Sequence, residues 1–165
     1  MKYTGLYNKK FFKDSDRFQR DEKRLDFLVS KILEHNPLSV LDVGCGSGYL
    51  VKKLRTLGIK AFGIDISPDA GKQIPNWFMV KNAISLPFDH NEFDLVVSTD
   101  FFEHLSEDEI DDVYKEMKWV GKKVIAQVAW EDKLNARQKL LHLTNKPRSW
   151  WENKLPDCEF LGSLQ

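Results

Sequence analysis

Three glycines at every second position, Gly44, Gly46 and Gly48, follow an acid, Asp42, in the stretch VLDVGCGSGYL. Each glycine costs backbone entropy on folding, so a chain that gives up three side chains in so short a run brings its main chain against something. A glycine-rich turn between a strand and a helix usually cradles phosphate, but the spacing fits neither common phosphate loop. No G-x-x-x-x-G-K-[ST] string occurs, and the dinucleotide pattern G-x-G-x-x-G would put Tyr49 where its third glycine belongs. A tyrosine there crowds the helix against the strand, which disfavours an NAD-type oxidoreductase. A second group able to do chemistry is Asp100, Glu103 and His104, whose spacing can bring them to one side of a turn. Histidine titrates near neutrality and suits the removal of a proton from a hydroxyl. His142, in HLTNKPRSWW, is a further candidate.

These groups need elements to carry them. Leu25, Leu28, Val29, Ile32 and Leu33 recur at helical spacing, and that helix ends near His35-Asn36-Pro37. Ser39 to Val43 reads as a buried strand, and Tyr49 to Leu57 as a helix stopped by Gly58. Further strands are expected at Lys60 to Ile66, Trp77 to Val80, Phe93 to Ser98 and Lys123 to Val128. Ser106 with Glu109 three residues later forms a capping box, opening a helix with Ile110, Val113, Tyr114, Met117 and Val120 on one face. Between Asp65 and Trp77 there is room for only a turn or two of helix, broken by Pro68, Gly71 and Pro75. CEFLGSLQ offers one more strand. Alternating strands and helices predict an α/β, doubly wound, mostly parallel sheet, with ligands beyond its carboxyl edge.

The chain has 165 residues, enough for one domain, and its 25 basic residues balance 25 acidic ones. No global field then favours nucleic acid or an anionic membrane. Two cysteines, Cys45 and Cys158, suggest reduced thiols and neither a disulfide framework nor a Cys-based zinc site. No apolar run approaches the roughly 18 residues of a membrane span, and the N-terminus lacks the apolar core of a signal peptide. A cytoplasmic protein is expected.

VLDVGCGSGYL resembles the first motif of the class I S-adenosylmethionine-dependent methyltransferases, in which the loop wraps the methionine end of the cofactor. Three further segments match in order: FGIDIS, KNAISLPF and STDFFEHL. The resemblance implies a Rossmann-like sheet of strand order 3-2-1-4-5, here shortened at the C-terminus, and a single domain over residues 1–165. Within it, 1–36 would be a helical lid, 37–130 the cofactor-binding core and 131–165 an acceptor-side segment. It implies cofactor contacts from Asp42, Gly44, Cys45, Gly46 and Gly48, ribose hydrogen bonds to Asp65, adenine contacts from Ile66, Asn82 and Ala83, and Thr99 near the methionine portion. Asn82 stands where the family usually has aspartate, and its amide can still accept from the adenine amino group.

The product of such a reaction is S-adenosylhomocysteine, and the expected acceptor is a small molecule or sugar, methylated on oxygen. Asp100, His104 and His142 are the catalytic candidates. The Asp100, Glu103, His104 arrangement also resembles that of ubiquinone-pathway O-methyltransferases, where such residues are associated with a divalent metal; no metal is expected here, with these three as its ligands if one is used. HLTNKPRSWW resembles a segment of methyltransferases of envelope polysaccharide and small-molecule pathways, which would bring Lys146 and Arg148 to an anionic group. Trp150 and Trp151 read better as packing residues. Tyr3, Tyr7, Phe11, Phe12 and Phe18 would form a lid. The family's sheet normally ends in an antiparallel hairpin, and without it an open edge is where a second copy would pair. The competing expectation is a cofactor-binding protein without transfer activity, regulatory or partner-dependent.

Overall fold

The computed structural model describes residues 8–11, 19–130 and 142–162. Helix α1 spans Glu22–Leu33 and is opened by Asp21, whose side chain accepts the Arg24 N–H. Strand β1 (Ser39–Val43), helix α2 (Tyr49–Thr56) and strand β2 (Lys60–Asp65) follow. Only a 3₁₀ turn at Pro75–Trp77 separates β2 from β3 (Phe78–Val80), as the prolines and glycine of that connection predict. Strand β4 (Leu95–Thr99), a 3₁₀ turn at Phe102–His104, helix α3 (Glu107–Val120), β5 (Val124–Gln127), α4 (Arg148–Lys154) and β6 (Glu159–Phe160) complete the described order. Gly58 ends α2 with φ +84°, and the capping box of Ser106 and Glu109 opens α3.

The sheet has the order β3-β2-β1-β4-β5-β6, and every strand pair in it is parallel. The final strand is the one that CEFLGSLQ offers, and it runs parallel to β5, whereas the family's sheet normally ends in an antiparallel hairpin. Glu159 and Phe160 lie beside Ile125 and Ala126 and run with them. A parallel neighbour needs a long crossover, and the chain from β5 to β6, which includes α4, is long enough to return to the rim from which β5 starts. Strand β4 begins two residues later than its apolar run, because Phe93 bridges to Gly121 and the Asp94 side chain turns to the Leu38 and Ser39 N–H groups.

Each face of the sheet buries a separate core. On one, Leu28 and Ile32 of α1 and Leu54 of α2 cover Val40 and Ile125; on the other, Ile110 and Met117 of α3 and Trp151 of α4 cover Leu41 and Val96. Removing so much apolar surface on both sides at about 25 cal/mol per Å² is what holds the short strands level. The carboxyl ends of the strands are thereby fixed in one row, which leaves the loops that follow them to build a site.

Candidate active site

Three neighbouring strands, β2, β1 and β4, each carry an aspartate at the carboxyl edge. Asp65 closes β2, Asp42 is the penultimate residue of β1, and Asp100 follows β4. The glycine loop runs between the first two. Gly44, Gly46 and Gly48 have φ of +76°, +54° and +88°, a region that side-chain-bearing residues rarely adopt. Space is as restrictive as backbone angle: a Cβ on Gly44 would lie 2.4 Å from the Phe101 ring, and one on Gly46 would lie 2.6 Å from the Gln19 amide.

Main-chain hydrogen bonds hold the loop open. The Gly44 and Cys45 N–H groups both donate to the Ile64 carbonyl, at 2.9 and 3.0 Å, and the Gly46 N–H donates to Asp65 Oδ2 at 3.1 Å. Asp65 Oδ1 accepts the Ser67 N–H at 2.9 Å. The acid therefore faces the loop with main-chain N–H groups on both oxygens and lone pairs to spare. Cys45 contributes main chain: its thiol is buried against Gly63, and burial pushes its pKa well up.

Burial also raises the carboxyl pKa values here. Asp42 is pushed up to about 7, chiefly by burial, with Arg24 pulling it down and Asp65 adding repulsion. Its Oδ1 is buried without a hydrogen-bond partner. Asp65 is raised by burial against the pull of the Ser67 and Gly46 N–H groups. Acids that prefer their protons in a cleft of this kind are suited to a cationic ligand, which would hold them ionised.

Three residues of this rim escape a reading of the sequence alone. Arg24 is buried on α1, forms a short ion pair with Asp100 and donates to Gln127 Oε1 at 3.1 Å. Gln127 ends β5, and Gln19 covers the glycine loop, accepting the Ser47 N–H at 2.7 Å. Arg24 left one signal: it precedes Leu28 and Ile32 at four-residue steps, a charged side chain on an apolar stripe. Asp100 takes φ +50°, and its N–H donates to the Gln127 carbonyl at 3.0 Å. The carboxylate is thus engaged by Arg24.

Beyond Asp100 the chain turns through Phe102–His104 and puts Glu103 in the interior with no exposed surface. Glu103 Oε1 accepts the Ala129 N–H at 3.1 Å while Oε2 has no partner, and burial followed by the charge of Asp100 raises its pKa to about 8. The Thr144 N–H donates to the Glu103 carbonyl at 3.1 Å and the Thr144 hydroxyl to the Leu105 carbonyl at 2.7 Å. Those two bonds bring His142 against His104, ring edge to ring face with centroids 4.8 Å apart. Burial, then His104, lowers the His142 pKa to about 4, so its imidazole is neutral at neutral pH.

The other expected residues lie on the same rim. Ile66 follows β2 and Thr99 ends β4. Asn82 caps its own turn, its Oδ1 accepting the Ile84 N–H at 3.2 Å, and Ala83 is buried beside it. Lys146 pairs with Glu107 and Arg148 with Glu152, so both are engaged by surface carboxylates. Trp151 is fully buried and Trp150 packs edge-on against it. Of the expected lid, Phe11 is half-exposed, and Tyr3, Tyr7, Phe12 and Phe18 lie outside the described residues.

Residues 41–124, just over half of the chain, match the family described as "Methyltransferase domain". The chain belongs to that family, in its class I, S-adenosylmethionine-dependent form. An uncharacterized methyltransferase of Bacillus thuringiensis (strain Al Hakam) is 34% identical over 97 residues, which are 56% of this chain and 44% of that protein. One from Oceanobacillus iheyensis is 27% identical over 153 residues, covering 87% of this chain and 71% of the relative. Among solved structures, a chain of the "Complex between the Haloferax volcanii Trm112 methyltransferase activator and the putative methyltransferase" superposes with a TM-score of 0.70 at 21% identity. That match covers 94% of this chain and 74% of the other, and it bears on the fold. Among the described residues, no helix is long and apolar enough to cross a membrane.

Proposed function

We propose that this chain binds S-adenosylmethionine at the glycine loop and transfers its methyl group to the oxygen of a small molecule or sugar. The observation that carries the first half is the cradle itself: three left-handed glycines between buried Asp42, which has an unpartnered oxygen, and part-buried Asp65. A ligand bearing a sulfonium and an ammonium group suits carboxyls that burial has pushed up. When bound, S-adenosylmethionine supplies a methyl group activated by positive sulfur.

The chain's own residues then have separable roles. Gly44, Cys45, Gly46 and Gly48 offer main chain to the amino-acid tail, with Asp42 as the nearby acid and Thr99 close to the same tail. Asp65 accepts from the ribose hydroxyls, while Ile66, Asn82 and Ala83 border the adenine. Displacement at the methyl carbon is in line, so the main requirement is to hold the acceptor oxygen on the axis opposite sulfur. His104 and His142 are the groups that take up the acceptor's proton. Burial and His104 keep the His142 imidazole neutral at neutral pH, so one of its ring nitrogens has a lone pair free to accept.

A second reading, cofactor binding without transfer unless a partner is present, draws on the Haloferax neighbour, which was solved with an activator. Calorimetric titration with S-adenosylmethionine and with NAD tests the site: saturable binding of the first and none of the second is expected, and the reverse would refute the assignment. Incubation of a cell extract with protein and methyl-labelled cofactor then separates the two readings. Label in a small organic acceptor supports transfer; cofactor binding with no labelled product supports the partner-dependent reading.

A further inference from the structure

We propose that Glu103, His104 and His142 form a binding site for one divalent transition-metal cation of the zinc class. The proposal rests on the placement of these three side chains and is independent of cofactor binding; with an ion bound, His104 and His142 act as its ligands in place of taking up the acceptor's proton. One ligand atom from each residue lies within 4.8 Å of the other two. Tetrahedral coordination with bonds of about 2.1 Å puts ligand atoms about 3.4 Å apart. The outermost pair would have to close by at most about 1.4 Å, within reach of side-chain rotation.

Two of the three residues present buried atoms that nothing satisfies. Glu103 is fully buried, its Oε1 is fixed by the Ala129 N–H, and its Oε2 has no partner. His142 is nine-tenths buried and its Nδ1 has none either. Leaving buried polar atoms without partners is unfavourable, and a cation held by both residues would relieve that. The scaffold is also rigid in the way such sites require. The Thr144 N–H and hydroxyl clamp the His142 segment onto the turn that carries Glu103 and His104, and Asn145 Nδ2 donates to the His142 carbonyl at 2.9 Å.

The ligand set identifies the ion class. Two imidazoles and one carboxylate suit zinc, cobalt, nickel or ferrous iron, whereas magnesium and calcium favour sites made of oxygen alone. Three protein ligands leave a coordination position open, which an oxygen of water or of an acceptor hydroxyl can fill. This set differs from the Asp100, Glu103, His104 set that the resemblance to ubiquinone-pathway O-methyltransferases implies. Asp100 is taken by Arg24, and His142 arrives in its place from a segment distant in sequence.

The test is titration of the chelator-treated protein with Co²⁺, followed by its visible absorption and by calorimetry. One ion per chain with a ligand-field spectrum of mixed nitrogen and oxygen ligation is expected, together with competition by Zn²⁺ and none by Mg²⁺. His142→Ala and Glu103→Gln should each weaken Co²⁺ binding at least tenfold, given that loss of outer-sphere partners alone typically costs about 10–100-fold. Asp100→Asn should leave it within about twofold. Circular dichroism screens for variants that fail to fold, and His104→Ala, at a partly exposed residue, serves if Glu103→Gln is one of them. No stoichiometric binding, or binding unaffected by His142→Ala and His104→Ala, overturns the proposal. S-adenosylmethionine titration of the same samples reports separately on the cofactor site, so either reading can fail without the other.

Discussion

The two rims of the sheet treat their carboxylates in opposite ways. At the rim where the strands begin, Asp94 accepts from the Leu38 N–H at 2.9 Å, the Ser39 N–H at 3.1 Å and Lys122 at 2.7 Å. Lys122, followed by the Leu38 N–H, holds its pKa down at about 2. At the rim where the strands end, Asp42 is pushed up to about 7 and Glu103 to about 8, each with an oxygen lacking a partner. Asp94 is satisfied by the protein alone and fastens β1 to β4. The second rim is left incomplete, at a cost to the ligand-free fold, and so is suited to be completed by something that binds.

The largest effect that would sharpen this contrast comes from Asp42. Its folded-state pKa lies above the unfolded value of about 4. The folded chain therefore holds more protons than the unfolded one between pH 4 and 7, and stability contributed by Asp42 falls as pH rises through that window. The full difference amounts to up to about 4 kcal/mol. Urea unfolding of the ligand-free protein at pH 5 and pH 8 should show a loss that Asp42→Asn reduces in part, the remainder coming from Glu103, whose raised pKa of about 8 acts with the same sign. Saturating S-adenosylmethionine should reduce the loss in the natural protein. A slope identical in both proteins would mean that Asp42 is as well satisfied as Asp94.

Next in size is Asp65→Ala. Losing charge-assisted hydrogen bonds to the ribose should cost about 3 kcal/mol, or roughly a hundredfold in cofactor affinity. Stability without ligand should change by less than about 1 kcal/mol, since the acid returns little to the empty fold. Calorimetry and thermal unfolding measure the two sides. Asp94→Ala is the mirror experiment and should cost about 2 kcal/mol of stability at pH 7 with cofactor affinity intact. Because the Asp94 pKa is depressed, its contribution is complete above about pH 4 and is lost as pH falls toward 2, so the variant and the natural protein should converge in acid. If Asp94→Ala weakens the cofactor instead, the two rims are not independent.

The sequence reveals these rims unequally. Periodicity locates helices α1 to α3 and strands β1, β2, β4 and β5 to within two residues, because apolar spacing records which face is buried. The glycine loop and Asp65 are legible because positive φ and a strand-end acid leave marks in residue type. The contact between His104 and His142 is not, since it depends on a crossover whose path local spacing does not record. Arg24 is partly legible, as a charge on an apolar stripe, but its partners Asp100 and Gln127 are set by strand order. The parallel direction of β6 is likewise a property of the crossover through α4 and not of the residues Glu159 and Phe160.

The smallest predicted effect tests whether everything at the carboxyl rim serves a ligand. Ser106 opens α3 directly after the turn that carries Glu103 and His104, and its hydroxyl lies 2.7 Å from Glu109 Oε2, which also accepts the Ser106 N–H at 3.0 Å. This box satisfies donors that the first turn of α3 would otherwise leave exposed. Ser106→Ala should cost about 1 kcal/mol, a fall of roughly 2–4 °C in melting temperature. Cofactor affinity and Co²⁺ affinity should stay within about twofold, because Glu109 still holds the main chain at the start of the helix. The variant separates residues that finish the fold from residues that await a ligand on a single rim. A larger loss of Co²⁺ binding than of stability would show that the helix start and the histidine cluster form one cooperative unit, and that the division runs between segments and not between rims.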